Sequence, residues 1–447
     1  MNKLKLAILS GLGLLAVMFL VAVSTPYWFA TKQDAKVDVR DPQLIRNGEY
    51  LARAGDCAAC HTAPGGRPFA GGLAMQTPMG TIYSTNITSD KNTGIGNYSY
   101  GDFERAVRRG VRPDGVPLYP AMPYVSYVVV SDNDIQALYA YFMSSVETVE
   151  QNNQPTTIPW PLSMRWPLAW WQLLFAQPRQ FVTDTSLSAD QQRGAYLVEG
   201  LAHCGACHTP RGIAFQEQVL RDVDGGTYLS GSVLEGWYAK NLRKEGTGLA
   251  SWTEDHVVDF LRTGRTERTA AFGSMANVVA HSTQYLSADD LRSMARYLKQ
   301  LPGRKDRLEV WGPKEDATTA RLRAGDYSEA GATRYVEHCA ACHRLDGRGA
   351  PRVFPALAGN SIVFADDPSS LIQVTLAGGA MAKTPHDRMA FVMPGFDQLR
   401  NREVAEILNF IRNGWGNHGT EIRESDVARM RRLVDHKPTH YVPEPKK

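Results

Sequence analysis

All six cysteines of this chain occur in three copies of one motif, in which two cysteines are separated by two residues and followed at once by histidine. Two thiols three positions apart lie on one helical turn, so both can bond the vinyl groups of the same porphyrin while the adjacent imidazole faces the iron. No cysteine is left over for a structural disulfide. The pattern predicts three covalently bound haem c groups, held by Cys57, Cys60 and His61, by Cys204, Cys207 and His208, and by Cys339, Cys342 and His343.

A single pair of cysteines at this spacing has two other possible chemistries. It could be a redox-active dithiol or half of a zinc site. Three copies, each with the adjacent histidine, argue against both alternatives.

The sixth iron ligand decides between electron transfer and catalysis. A methionine opposite the histidine closes the iron and raises its potential, whereas an open position allows ligand chemistry. Three methionines lie in Pro- or Gly-containing loops after a motif and before the last helix of the repeat, so we predict Met122, Met275 and Met393 as the ligands. The weaker candidates are Met75, Met79, Met381 and Met389, and histidines outside the motifs, such as His203 and His338, are interpreted as surface or hydrogen-bonding residues.

The motifs recur at intervals of one domain. Their first cysteines are 147 and 135 residues apart, and typical domains hold about 100–150 residues. One module used three times is therefore expected. The predicted divisions are a signal peptide or membrane anchor at 1–30, haem domains at 42–150, 186–302 and 323–418, a Trp- and Pro-rich linker at 151–185, a second linker at 303–322, and an exposed, loosely ordered C-terminal tail at 419–447.

Each repeat is predicted to begin and end with a helix. A short helical pattern precedes each motif, and Gly- and Pro-rich loops with little strand signal follow it. Near the end of each repeat, polar residues that can cap a first turn precede apolar residues at three- and four-residue spacing. The fold class is predicted as all-α, and the closing helices are predicted at 135–143 after Ser131, at 291–298 after Ser287 and at 404–411 after Asn401.

The N-terminus predicts an exported chain. Lys3 and Lys5 precede an uncharged apolar run from Leu6 to Val23, which predicts an N-terminal hydrophobic helix. Its 18 residues are at the short end of the range for a spanning helix, about 17–25 residues. The helix is either a cleaved signal or a retained anchor with the two lysines in the cytoplasm. Both alternatives place the domains at the inner membrane on the periplasmic side.

Four of the nine tryptophans lie between residues 158 and 171. One interpretation is packing between the first two domains. The other is a membrane-interface or quinone-facing patch, because indole rings suit a boundary that is wet on one side.

Composition excludes several function classes. The formal net charge is only +3 and the basic residues are scattered, so nucleic acid is not expected as a partner. No P-loop, dinucleotide fingerprint or nucleophile and base pair is present, so no catalytic residue is predicted.

The motifs resemble those of the three-haem cytochrome c subunits of bacterial membrane-bound dehydrogenases. The similarity extends over about residues 45–415 and repeats in the same order. It implies three tandem class I-like cytochrome c domains. The segments that carry it are 55–63, 81–88, 93–96 and 118–124 in the first repeat, 282–286 in the second, and 339–343 with 393–394 in the third.

The resemblance implies an electron-transfer subunit. Such a subunit accepts electrons from a catalytic dehydrogenase subunit, with a small third subunit in the complex, and delivers them to ubiquinone at the membrane. Residues 158–168 are most similar to members that serve flavin-dependent gluconate or sugar-acid dehydrogenases. The alternatives are quinoprotein alcohol dehydrogenases and molybdenum aldehyde dehydrogenases.

Two hypotheses from other classes compete with this one. In a self-contained peroxidase-type haem enzyme, one iron would lack its methionine. In a terminal-oxidase subunit, the partner would reduce oxygen.

Overall fold

A computed structural model describes residues 10–20, 35–304, 311 and 317–435. The chain divides into two compact units. The first runs to Thr183 and includes Gly200–His203 and Ile213–Gln216, and the second contains the remainder. The first unit carries the first haem motif, and the second unit carries the other two.

Helices dominate the first unit, and one short hairpin joins them. The motif forms its own turn between a long opening helix and the later helices. The helices are Pro42–Ala54, Cys57–Cys60, Tyr100–Arg109, Tyr124–Tyr127, Asp132–Ser144 and Pro167–Phe175, and the strands are Ala74–Thr77 and Gly80–Tyr83.

The second unit contains two further repeats, and in the second of them the hairpin follows a helix instead of preceding it. Its first part contains the helices Ala189–Tyr196, Gly205–His208, Glu254–Thr263, Ser274–His281 and Ala288–Gln300, a π-helical turn Leu197–Leu201, the short 3-10 turns Asp222–Asp224 and Thr283–Tyr285, and the strands Ser232–Leu234 and Trp237–Ala239. Its second part contains the helices Ala317–Arg323, Ala332–His338, Ala340–His343, Ser369–Ala377, Asn401–Asn413 and Glu424–Asp435, and the strands Gly379–Ala380 and Val392–Met393.

A glycine lies where the opening helix of each repeat meets the closing helix. A Cβ atom on Gly48 would lie 2.0 Å from the Ala137 carbonyl oxygen, and one on Gly194 would lie 2.0 Å from that of Ser293. In the third repeat the glycine precedes the opening helix, and its Cβ would lie 2.3 Å from the Glu406 carbonyl oxygen. That glycine is Gly331, with φ +86°. Only glycine allows the two backbones to approach this closely.

The predicted closing helices are present, and two of the three predicted caps are confirmed. The Ser131 hydroxyl accepts a hydrogen bond from the Asp134 amide at 3.2 Å, and the Ser287 hydroxyl accepts one from the Asp290 amide at 3.1 Å. The third helix begins at Asn401 itself, so the predicted Asn401 cap is wrong. Instead, the Glu403 carboxylate accepts from the Arg400 amide at 2.9 Å.

The all-α prediction is wrong in one respect, because each repeat also contains a two-stranded antiparallel sheet. The paired strands are only two to four residues long, below the length at which alternation of apolar residues becomes visible in a sequence. These small sheets stiffen loops between the motif and the closing helix.

The predicted N-terminal hydrophobic helix is also corrected. Residues 10–20 are helical. None of the helices in the described ranges is long and apolar enough to cross a membrane. Residues 1–9 and 21–34, where the rest of the predicted segment falls, lie outside the described residues.

The predicted loose tail is instead part of the core, as far as the structure describes it. Ile422, Val427 and Met430 are at most 5% exposed and join the hydrophobic core of the third repeat. The helix Glu424–Asp435 packs against the helices Ser369–Ala377 and Asn401–Asn413. Residues 436–447 lie outside the description.

The Trp-rich segment has two different parts. Its helix, Pro167–Phe175, buries Ala169 and Gln172, and the Gln172 amide donates to the Gly110 carbonyl at 2.8 Å. Trp160, in the loop before the helix, is 78% exposed. Packing within the first unit accounts for the helix, while a quinone-facing role of the loop stays a prediction.

The substitution Gly194→Ala should destabilise the protein. The added methyl group must push apart two backbones, and overpacking of this kind costs about 1–3 kcal/mol. Thermal unfolding of the purified protein followed by circular dichroism measures the effect. Gly226→Ala is the matched control, since a Cβ there meets nothing within 4 Å. Equal losses in both variants would contradict the close approach.

Candidate haem sites

Each motif forms a single helical turn. The turns are Cys57–Cys60, Gly205–His208 and Ala340–His343, and in the last two the first cysteine caps the turn. In this geometry the two thiols and the histidine of a motif lie on neighbouring positions of one turn, as the spacing predicts.

The first thiol of each motif is protonated at neutral pH. Burial raises the pKa of Cys57, Cys204 and Cys339 to about 12. A redox dithiol needs the opposite, a thiolate stabilised by a lowered pKa. The dithiol alternative therefore finds no support in these environments. None of the six cysteines is in a disulfide.

The three motif histidines share one hydrogen bond. In each, the ring atom Nδ1 lies within hydrogen-bonding distance of a backbone carbonyl oxygen that follows the motif in the chain. Because a carbonyl can only accept, Nδ1 carries the proton and Nε2 keeps its lone pair. The pairs are His61 with Thr85 at 2.7 Å, His208 with Lys240 at 2.7 Å and His343 with Pro355 at 2.9 Å.

Burial keeps these imidazoles neutral. It lowers the pKa of His61 and His343 below the ordinary value, and that of His208 to about 4. A neutral imidazole with a free Nε2 is the form that ligates iron. The donor set therefore fits a haem at each motif.

A cavity of about 640 Å³ lies beside the first motif. Cys57, Cys60, His61 and Met122 all line it, so the structure brings together the attachment residues and both axial ligands predicted for the first haem. Most of the wall is apolar. Met75 lines the same cavity, and the choice between the two methionines stays a prediction.

The other two predicted methionines lie in well-defined elements of the second unit. Met275 is in the first turn of Ser274–His281 and packs against a small buried cluster that includes Ala276 and Val279. Met393 ends a strand that pairs with Gly379–Ala380. Among the weaker candidates, Met381 is buried and Met389 is 65% exposed. The assignment of Met275 and Met393 as ligands stays a prediction.

The histidines next to two of the motifs are engaged elsewhere or lie at the surface. Nδ1 of His203 hydrogen-bonds the Leu201 carbonyl at 2.9 Å, and its ring packs edge-on against Tyr127. His338 is exposed. Both match their interpretation as hydrogen-bonding or surface residues.

Sequence reasoning missed the residues that hold the carbonyl acceptors. Asn86, directly after Thr85, is 2% exposed. Its amide group donates to the Val149 carbonyl at 2.7 Å and accepts from the Thr88 amide at 2.9 Å. Asn241 follows Lys240 in the same way in the second repeat and accepts from the Arg243 amide at 2.7 Å. An asparagine at equivalent places in two repeats was the available signal.

The Trp-rich linker also contributes to the first cavity. Arg165 lines it, donates to the Pro117 carbonyl at 3.0 Å and lies 3.5 Å from the centre of the Tyr119 ring. Nothing in the local pattern around Arg165 indicates this position, because the linker reaches the cavity only in the folded unit.

Comparison with known proteins agrees with this geometry. The cytochrome c family profile matches residues 328–415. The chain is 50% identical to the gluconate 2-dehydrogenase cytochrome c subunit of Pantoea cypripedii, over 88% of this chain and 91% of that protein. It is 47% identical to the cytochrome c subunit of the quinone alcohol dehydrogenase of Gluconobacter oxydans, over 94% of this chain and 87% of that protein. This chain belongs to the family of dehydrogenase cytochrome c subunits. The fructose dehydrogenase cytochrome subunit of Gluconobacter japonicus is a more distant relative, at 35% identity over 87% of this chain and 82% of that protein.

As a member of the cytochrome c family, the chain binds haem c covalently. The residues fit this group, because two half-buried thiols stand next to an imidazole whose Nδ1 hydrogen bond leaves Nε2 free. The cavity at the first motif supplies a largely apolar cradle.

The substitution Asn86→Ala should weaken the first haem site. It leaves the buried Val149 carbonyl and Thr88 amide without this partner, which costs about 1–3 kcal/mol, and it loosens the turn that presents the Thr85 carbonyl to His61. We expect a lower denaturation midpoint and a shifted potential of one haem in a spectroelectrochemical titration. The control is Asn97→Ala, an exposed asparagine whose amide donates to the Lys91 carbonyl at 2.7 Å. A potential that stays unchanged in Asn86→Ala would contradict the positioning role.

Proposed function

We propose that this protein is the electron-transfer subunit of a membrane-bound periplasmic dehydrogenase complex. It binds three haem c groups and carries electrons from a catalytic subunit to ubiquinone. The observation that supports it most strongly is the repeated arrangement of a half-buried imidazole with its Nδ1 on a backbone carbonyl, next to two thiols, in all three repeats.

The residues divide the work at each site. The two cysteines fix the porphyrin by thioether bonds, the histidine donates Nε2 to the iron, and the carbonyl acceptor holds the imidazole orientation. Met122, Met275 and Met393 complete the coordination and exclude water and small ligands. Bound haem supplies reversible one-electron exchange between ferric and ferrous iron. Closed coordination of this kind favours electron transfer over a peroxidase reaction.

The relatives support a dehydrogenase as the partner. Their printed names describe cytochrome subunits of gluconate, quinone-dependent alcohol and fructose dehydrogenases. Our first choice is a flavin-dependent gluconate or sugar-acid dehydrogenase, on the basis of residues 158–168 and the 50% identity. A quinoprotein alcohol dehydrogenase, supported by the 47% identity, or a molybdenum aldehyde dehydrogenase is the alternative. A small third subunit completes the complex in this proposal.

The proposed location is the periplasmic face of the inner membrane. Covalent attachment of haem to thiols takes place outside the cytoplasm, and a quinone acceptor resides in the bilayer. Both requirements are met at that surface.

Replacing each predicted methionine ligand by leucine should open one haem. Leucine conserves volume but cannot ligate iron, so the potential of that haem falls. We expect quinone reduction by the purified complex to slow, while substrate oxidation with an artificial acceptor is retained. Met75→Leu decides between Met75 and Met122, and Met389→Leu is the exposed control for Met393. An equal collapse of both activities in an assembled complex would contradict the division of labour.

Mass spectrometry of the intact complex tests the composition directly. It counts the haems on this chain and weighs the partner subunits. Three haems with a flavoprotein partner support the first choice, and a quinoprotein or molybdenum partner supports the alternative. A chain that purifies alone and turns over a substrate would overturn the proposal. Rapid azide binding to the oxidised protein would instead favour a peroxidase-type enzyme.

A further inference from the structure

A buried arginine joins the second and third repeats within the second unit. Arg265 follows the helix Glu254–Thr263 and is 1% exposed. Removing a guanidinium from water is costly unless its donors are paired. Its Nη1 donates to the Arg352 carbonyl at 3.3 Å, and its Nη2 donates to the carbonyls of Ala382, at 3.2 Å, and Met389.

The last two acceptors lie on opposite sides of one hairpin loop. This hairpin, residues 379–393, pairs Gly379 with Met393 and continues with a hydrogen bond from the Met381 amide to the Phe391 carbonyl at 3.0 Å. Because Arg265 donates to the carbonyls of both Ala382 and Met389, it links the two sides of the loop. The strand that leaves the loop ends at Met393, the sixth ligand predicted for the third haem.

Two further contacts hold the same hairpin against the second repeat. Arg352, whose carbonyl Arg265 binds, pairs with Asp387 in the loop at 2.6 Å and with Asp259 of the second repeat at 2.7 Å. On the other side, Phe272 lies so close to Gly379 that a Cβ there would be 2.9 Å from the ring. The hairpin, which belongs to the third repeat, therefore also packs against the second repeat.

We propose that Arg265 is a positioning residue that holds Met393 in place as the sixth ligand of the third haem. The proposal rests on the proposed function, because it assumes a haem with histidine and methionine ligands at the third motif. It makes the ligation state of one haem depend on a side chain from the neighbouring repeat. The physical reason is that a loop with fewer restraints opens more often, and the Met393 sulfur then leaves the iron more readily.

The test is the optical band of ferric haem that reports the bond from methionine sulfur to iron. With three such haems, Arg265→Gln should lose about one third of the band and lower the potential of one haem. The matched control is Arg268→Gln. The Arg268 side chain also reaches the third repeat, where it donates to the Ala358 carbonyl at 2.8 Å. Its substitution keeps the backbone carbonyl that accepts from the Ala356 amide, and no contact described for the side chain involves the hairpin. We expect this control to keep the full band.

A second variant covers the case in which Arg265→Gln does not fold. Arg265→Lys keeps the charge but has fewer donors in a different geometry. When imidazole is added to oxidised Arg265→Lys, it should displace methionine from one haem several-fold faster than in the unchanged protein.

The outcomes separate this inference from the proposed function. An unchanged protein without three methionine bands contradicts the proposed function itself. If the bands are present and both Arg265 variants behave like the unchanged protein, Arg265 does not position Met393. Equal band loss in Arg268→Gln also overturns the inference. Any weakening of the contact between the repeats would then be enough to release the methionine ligand.

Discussion

The hydrogen bond between Nδ1 of a motif histidine and a backbone carbonyl is the interaction on which each haem site depends. It fixes the tautomer, so that the nitrogen that remains is a lone-pair donor, and it fixes the plane of the ring. Its acceptor comes from a loop 12 to 32 residues further along the chain. The loop must therefore be as rigid as the helical turn that carries the histidine. Much of the remaining structure supplies that rigidity.

The frame behind the sites is the crossing of the opening and closing helices. Gly48, Gly194 and Gly331 allow the two backbones to meet at a carbonyl in every repeat. This contact fixes the opening helix, and the motif turn follows that helix, in the second repeat after the π-helical turn Leu197–Leu201. Side chains four positions beyond the contacted carbonyls, among them Tyr141 and Tyr297, then pack beside the glycine. The attachment residues are thus placed by a contact between two helices in which one partner is a glycine and has no side chain.

The sequence predicts what is local. The motif turns and the capped closing helices depend on residues within one or two turns of each other, and they are correct apart from the cap at Asn401. What it does not predict depends on distant partners. The short strands pair across loops, Arg165 and Arg265 reach their positions only after folding, and the helix Glu424–Asp435 is amphipathic but lacks the glycine and motif pattern of a repeat. The N-terminal helix is predicted from hydropathy over residues 6–23, of which the structure describes 10–20.

The third repeat differs from the other two in how its histidine acceptor is held. The residue after the acceptor is Asn86 in the first repeat and Asn241 in the second, but it is Ala356 in the third. The Ala356 amide donates instead to the Arg268 carbonyl of the second repeat, at 2.9 Å. The histidine acceptor of the third repeat is thus anchored from the second repeat, whereas the asparagines anchor the other two from within their own repeats. A third repeat separated from the second would lose this bond, and the Pro355 carbonyl that orients His343 would be less firmly held.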